Sequence, residues 1–171
     1  MCGRLIGERP TVNNDDTRLL RDGLGKFATG VTVVTCQGRG EPVGITANSF
    51  SSVSLEPPLI LWNIAKVSKS LSAFLDAEYF AINVLAADQE SVSVHFAQAS
   101  RPSFDGVAHE ISANGVPLLN DTLACFECRT HKIHDCGDHH IIIGEVDEFR
   151  FDGGDPLLFF SGRYTTTANR R

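Results

Sequence analysis

Val31-Thr32-Val33-Val34-Thr35 is β-branched at every position. Two heavy atoms on Cβ crowd a helix but pack well on a pleated surface, so such a run commits to a strand. It is also the first of a series. Residues 43–54, 79–85, 123–133, 139–151 and 157–160 carry strand texture, and the apolar run 59–64 reads as a buried strand. Turn formers separate them: Gln37-Gly38-Arg39-Gly40, Pro57-Pro58 and Asp135-Cys136-Gly137-Asp138. Helical spacing occurs only in short pieces. Residues 17–29 place Leu20, Leu24 and Phe27 on one face behind an Asp16-Thr17 cap, although Gly23 and Gly25 weaken that helix. Residues 70–77 align Leu71, Phe74 and Leu75, and 88–97 follow a capping Asp88. Residues 98–121 are loop-rich. Six or seven strands with two or three helices, not alternating regularly, do not make a doubly wound parallel sheet. They predict a mainly β, mostly antiparallel barrel with peripheral helices.

A chain of 171 residues fits one domain, here 17–165, after a loose polar arm over 1–16 and before a tail over 166–171. The net charge of -6, with Lys and Arg unclustered outside Arg170-Arg171, lacks the basic footprint of a nucleic-acid partner. No apolar stretch reaches the ~18 residues of a membrane span, and the first residues lack the apolar core of a secretory signal. Cys2, Cys36, Cys125, Cys128 and Cys136 are odd in number, which suits reduced thiols in a cytoplasm.

Three stretches carry candidate chemistry. The usual nucleotide signatures are absent: Gly23, Gly25 and Gly30 lack G-x-G-x-x-G spacing, and Gly25-Lys26 lacks the Ser or Thr of a P-loop. In residues 44–54, seven of eleven positions carry a hydroxyl, an amide or no side chain. That lets a planar heteroaromatic ring approach backbone donors and acceptors closely. The same pattern also suits a solvent-facing strand. Val67-Ser68-Lys69-Ser70 precedes a helix, where unpaired N–H groups, two hydroxyls and a cation suit a phosphate; Ser68 or Ser70 serving as a simple N-cap is the alternative. Residues 125–140 pack three cysteines and four histidines into sixteen positions. Cys125 and Cys128 have C-x-x-C spacing, yet their flanks read as strand, where residues three apart face opposite ways and cannot share a metal. No metal-ligating set is assigned. What remains is Gly137-Asp138-His139, a glycine turn with a local Asp that presents a histidine where a strand begins, or leaves it simply exposed.

Taken in order, these pieces resemble the flavin reductase-like family. The matching residues are Phe27-Ala28-Thr29-Gly30-Val31-Thr32-Val33-Val34-Thr35, Gly44 through Ser54, Pro57-Pro58-Leu59 and Phe80-Ala81-Ile82-Asn83-Val84-Leu85. Further on they are Phe104-Asp105-Gly106-Val107, Cys128, Gly137-Asp138-His139, Ile143-Gly144-Glu145-Val146 and Gly162-Arg163-Tyr164. The resemblance implies an antiparallel split β-barrel of Greek-key type that binds FMN or FAD. It implies an NAD(P)H:flavin oxidoreductase, a homodimer that passes hydride from NADH or NADPH to flavin and supplies reduced flavin to a separate monooxygenase. Thr46, Ala47, Asn48 and Ser49 would line the isoalloxazine, Ser51 and Ser52 the ribityl or phosphate, and Ser68, Lys69 and Ser70 the phosphate. His139 would lie by the ring and the nicotinamide on the Gly137-Asp138 turn. Phe104 and Tyr164 complete the implied cofactor-binding set. A split-barrel flavoprotein acting on a corrinoid or haem-related acceptor, and a Cys/His metal-binding domain, are the rival readings. Cys125, Cys136 and His140 are additions to the family pattern.

Overall fold

The computed structural model describes residues 17–98 and 102–167. The expected arm over 1–16, the Asp16 cap and the end of the tail lie outside them. In chain order the elements are α1 (Thr17–Leu24), β1 (Thr29–Gly30), β2 (Thr32–Gln37), β3 (Pro42–Ala47), β4 (Ser51–Leu55), β5 (Pro58–Ala65), α2 (Leu71–Asp76) and β6 (Tyr79–Val84). Then follow α3 (Glu90–Phe96), β7 (His109–Ile111), β8 (Pro117–Leu119), β9 (Ala124–Cys136), β10 (His139–Phe151), β11 (Leu157–Phe160) and β12 (Arg163–Thr166). No helix among the described residues is long and apolar enough to cross a membrane.

Seven antiparallel strands form one sheet in the order β3-β2-β6-β9-β10-β5-β4. Its edge strands, β3 and β4, are consecutive in the chain and joined by residues 48–50 alone. Laid flat, seven strands at ~4.8 Å spacing would hold those edges about 29 Å apart. The connection spans at most about 14 Å. The sheet must therefore roll up, and the barrel expected from the pattern of strands is the result. Two small sheets, β1-β11-β12 and the β7-β8 hairpin, accompany it.

Alternation along the strands sorts side chains into separate cores. Val34, Cys36, Ile60, Trp62, Ile64, Phe80, Ile82, Cys128 and Ile142 fill the barrel with Phe74 from α2. Val31, Val33, Leu85, Phe96, Phe104 and Leu157 form a second core on the outer face, under α3 and β11. Trp62 is fully buried, edge-on to Phe74 at 4.9 Å between ring centroids, and its Nε1 has no partner among the described residues. Burying an indole is worth about 4–6 kcal/mol. That exceeds the roughly 1–3 kcal/mol of one unmade hydrogen bond, so the ring stays inside. At Gly144 a Cβ would lie 2.5 Å from Phe80 Cζ and 2.8 Å from Cys128 Cβ, so β10 crosses this core without a side chain.

Several expectations need correction. The single strand expected over 43–54 is two strands, because the chain turns through Asn48-Ser49-Phe50 to cross from one sheet edge to the other. The first helix ends at Leu24, where Gly25 N–H donates to Arg21 O at 2.9 Å, and residues 29–30 pair with β11 instead. None of its residues is buried: Leu20 is 44% and Leu24 67% exposed. Asp88 does not cap α3. Gln89 occupies that place, and its Oε1 accepts from Ala86 N at 3.0 Å. The loop-rich 98–121 region contains β7 and β8, and β12 runs to Thr166.

Candidate functional site

The cleft of interest forms where the barrel splits. β3 is an edge strand, paired only with β2, so one row of its backbone groups lacks a strand partner. On the facing side β4 pairs with β5 only as far as Leu61. From Asn63 to Ala65, β5 keeps its pairing with β10 but has no strand partner toward β3. Two open backbone edges thus face a cleft of about 510 Å³ lined by Ile45, Thr46, Ala47, Asn48, Ser49, Asn63, Ile64, Ala65, Cys136, Asp138, His139 and Ile141. The volume is that of a small-molecule site, and the apolar floor with polar edges suits a flat heteroaromatic ring.

Local bonds hold its walls. Ser49 Oγ accepts from Asn63 N at 2.9 Å, which closes the β3–β4 connection onto β5. The β9–β10 hairpin is pinned to the end of β5 twice: Lys66 N–H donates to Asp138 O at 2.9 Å, and Lys66 Nζ pairs with Asp135 Oδ1 at 2.6 Å. Gly137 takes φ +59, a left-handed conformation that glycine adopts without strain in a two-residue turn. Next to it, Asp138 Oδ1 meets His139 Nδ1 at 2.7 Å. That bond orients the ring and leaves Nε2 for a ligand. The hydrogen bond from His139 holds the Asp138 carboxyl below the usual carboxylate range. Asn63 Oδ1 is buried on the cleft without a hydrogen-bond partner among the described residues.

Six of the residues expected at the site line this cleft: Thr46, Ala47, Asn48, Ser49, Asp138 and His139. Gly137 shapes the turn beside it. Ser51 and Ser52 are exposed at the start of β4, outside the lining. Ser68, Lys69 and Ser70 form the next turn after Ala65, with Ser68 N–H donating to Ala65 O at 3.0 Å. Ser70 is buried at the N-cap of α2 and Ser68 Oγ accepts from its N–H, so Ser68 and Lys69 hold the surface there. Phe104 packs on Phe96 and His109 in the outer core. Tyr164 OH is 2.8 Å from Ser93 Oγ, and Thr46 Oγ1 donates to Ser93 O at 2.6 Å. Tyr164 therefore stands behind a lining residue rather than in the cleft. The reading missed Asn63 and Cys136. Asn63 carried a signal, as the one polar side chain inside an apolar strand run.

The cysteine-histidine stretch divides as strand alternation requires. Cys128 enters the barrel core, while Cys125 packs with Ala81 and Val116 on the outer face, its Sγ 3.4 Å from Asn83 Oδ1. Burial pushes the Cys125 thiol up to about 11, and pushes Cys128 up as well. Among the described residues no group of three or more His, Cys, Asp or Glu side chains is placed to hold a metal.

The family model for the flavin reductase like domain matches residues 24–168. The chain is 49% identical over 150 residues to the FMN reductase (NADH) SmoA of Agrobacterium fabrum, which covers 88% of this chain and 86% of that protein. It is 47% identical to the reductase component of the flavin-dependent trigonelline monooxygenase of Acinetobacter baylyi, covering 95% of this chain but 52% of that longer protein. The Streptomyces globisporus NADH:FAD oxidoreductase SgcE6, solved with NAD and FAD fragments, superposes with a TM-score of 0.87 at 40% identity, over 94% of this chain and 98% of that one. With the match to its model and the likeness in fold agreeing over most of the chain, this protein belongs to the flavin reductase-like family.

Proposed function

We propose that the chain is an NAD(P)H:flavin oxidoreductase that reduces FMN or FAD and releases the product to a separate monooxygenase. The observation that carries this reading is the split between β3 and β5, where two edges without a strand partner face each other with His139 at the rim. A flavin fits the donor set. The backbone groups of β3 that point away from β2 match a ring with polar edges, and the buried Asn63 Oδ1 requires a donor that a ring N–H provides. When bound, flavin would supply the hydride acceptor and the reduced nicotinamide the hydride.

The chain's own part is positioning and charge. Backbone N–H groups at the β3 edge stabilise negative charge on a reduced ring. Asp138 holds His139 by Nδ1, so His139 positions the nicotinamide through Nε2; hydride transfer asks for no protein nucleophile. Ser68 and Lys69 take a phosphate, which places Ser70 in a structural role. Cytoplasmic action accords with Cys125, Cys128 and Cys136 standing outside any disulfide. The exposed apolar side chains on β10 support a homodimer.

Oxidation of NADH and of NADPH, each with FMN, FAD and riboflavin in excess over protein, tests the reading. Many turnovers of free flavin are expected. No flavin-dependent oxidation in any combination, or turnover only with a corrinoid or haem acceptor, would sink it.

A further inference from the structure

The β9–β10 ribbon carries charge on one face that the fold does not neutralise. Cross-strand partners point the same way, so Cys125 and Glu127 on β9 share a face with Arg150 and Glu148 on β10. Phe126, Phe149 and Phe151 lie on the other face. The β7–β8 hairpin stands over the charged face, and a cleft of about 310 Å³ lies between them.

Glu127 is only 3% exposed, yet its carboxylate meets neutral donors alone: Ser112 Oγ donates to Oε1 at 2.7 Å and Asn114 Nδ2 at 3.1 Å. Oε2 accepts no hydrogen bond from the described residues. Directly across the ribbon stands Glu148, and like charges placed opposite each other are destabilising. No cation among the described residues pairs with either carboxylate. The guanidinium in the lining is already engaged, since Arg150 pairs with Glu110 and donates to Leu119 O at 3.2 Å. Burial pushes the Cys125 thiol up to about 11, so it stays neutral and adds no charge of its own. A buried carboxylate is costly unless a cation pairs with it. Beside the two carboxylates, Leu118 and the 55% exposed Ile111 give the cleft an apolar side.

We propose that this cleft binds a small alkylammonium ion, with the ammonium group between Glu127 and Glu148 and the alkyl stem against Ile111 and Leu118. The N–H donors of an ammonium group match Glu127 Oε2 and the Glu148 carboxylate. A metal ion fits less well, because no group of three or more His, Cys, Asp or Glu side chains is placed to hold one among the described residues. The site is separate from the flavin cleft: about 30 Å of strand lies between Glu127 and Cys136 on β9. It therefore adds a second ligand to the chain and does not rest on the flavin reductase reading.

n-Butylammonium chloride is the probe, titrated at neutral pH into the isotopically labelled full chain and followed by amide chemical shifts, so the readout does not depend on turnover. Saturable shifts are expected at Ser112, Asn114, Glu127 and Glu148, with a dissociation constant on the order of 1 mM. Glu127→Gln keeps an acceptor for Ser112 and Asn114 while removing the charge, and weakens binding about tenfold. Glu148→Gln, a change at an exposed position, weakens it about threefold. Circular dichroism checks that both variants fold, and the second keeps the test open if the first does not. n-Butanol, which has nearly the same shape and no charge, binds about tenfold more weakly than n-butylammonium. No saturable shift at these amides, n-butanol binding as tightly as n-butylammonium, or unchanged affinity in the folded variants overturns the proposal. Calcium chloride that produces the same shifts at lower concentration assigns the two carboxylates to a metal and overturns it as well. Amine binding that the variants weaken, in a chain that reduces no flavin, upholds it and overturns the reading of the flavin cleft instead.

Discussion

His139 owes its place to two neighbours. Gly137 tightens the hairpin so that the strand restarts at once, and Asp138 takes the ring by Nδ1 at 2.7 Å. The Asp138 carboxyl, whose ordinary value is 3.8, is held lower still by that bond. A group with a depressed folded pKa contributes above its unfolded value and loses that contribution only as pH falls through the folded one. The Asp side of the pair therefore stays charged throughout the neutral range, and the ring keeps its orientation there. His139→Ala should raise KM for NADH about tenfold, while flavin affinity measured by fluorescence quenching changes less than about threefold. Unchanged KM and kcat for NADH in that variant would remove the residue from the site. His140 follows in sequence but pairs across to Ile64 on the opposite pleat, and it does not line the cleft. This difference between neighbours was legible in the sequence, because alternation along a strand is a local rule. The place of Tyr164 was not: it depends on α3 packing over β3, a long-range contact that no local pattern encodes.

The elements show what a one-dimensional pattern can carry. β10 and β11 begin and end where the alternation predicts, since each is bounded by turn residues. The break inside 43–54 was missed because Asn48-Ser49-Phe50 contains no Gly or Pro; what turns the chain there is closure of the barrel, together with the Ser49 bonds to β5. The β7–β8 hairpin was missed for a related reason. Its three-residue strands are too short to show a period, and a buried polar network holds them instead. Asn83 on β6 is fully buried, with Nδ2 donating to Val33 O at 3.0 Å and to Thr35 Oγ1 at 3.1 Å, while Oδ1 accepts from Leu119 N at 2.9 Å. Thr35 Oγ1 in turn donates to Pro117 O, so both bonds reach β8. Asn83→Ala would strand the Leu119 N–H away from water and take the Nδ2 donor from Val33 O and Thr35 Oγ1. The expected cost is about 3 kcal/mol, a fall in Tm of roughly 6–12 °C by thermal melting. A shift below about 2 °C would show that the hairpin does not depend on this side chain.

On the scale of the whole molecule a stretch of apolar surface lies open among the described residues. Phe50 and Phe126 pack against the barrel core, with ring centroids 5.9 Å apart. Phe126 stacks on Phe149 at 6.3 Å, and Phe149 on Phe151 at 6.4 Å, so a ladder of rings runs from the core out to solvent. The shift of register between Val146 and Glu148 turns Phe149 and Phe151 onto the face of Phe126. They are 64% and 73% exposed, and on β4 Leu55 is 94% exposed. Two stacked, uncovered rings continuous with a core mark a surface meant to be covered, and a second copy of the chain offers the same rings in return. Each ring buried between protomers should contribute about 2 kcal/mol. Both protomers carry the change, so the double variant Phe149→Ser, Phe151→Ser removes four such rings, about 8 kcal/mol, and should raise the dimer dissociation constant by about six orders of magnitude. Sedimentation equilibrium at micromolar protein should show a dimer for the wild type and a folded monomer for the variant. A monomeric wild type, or a variant that dimerises as tightly as the wild type, would place the interface elsewhere or remove it.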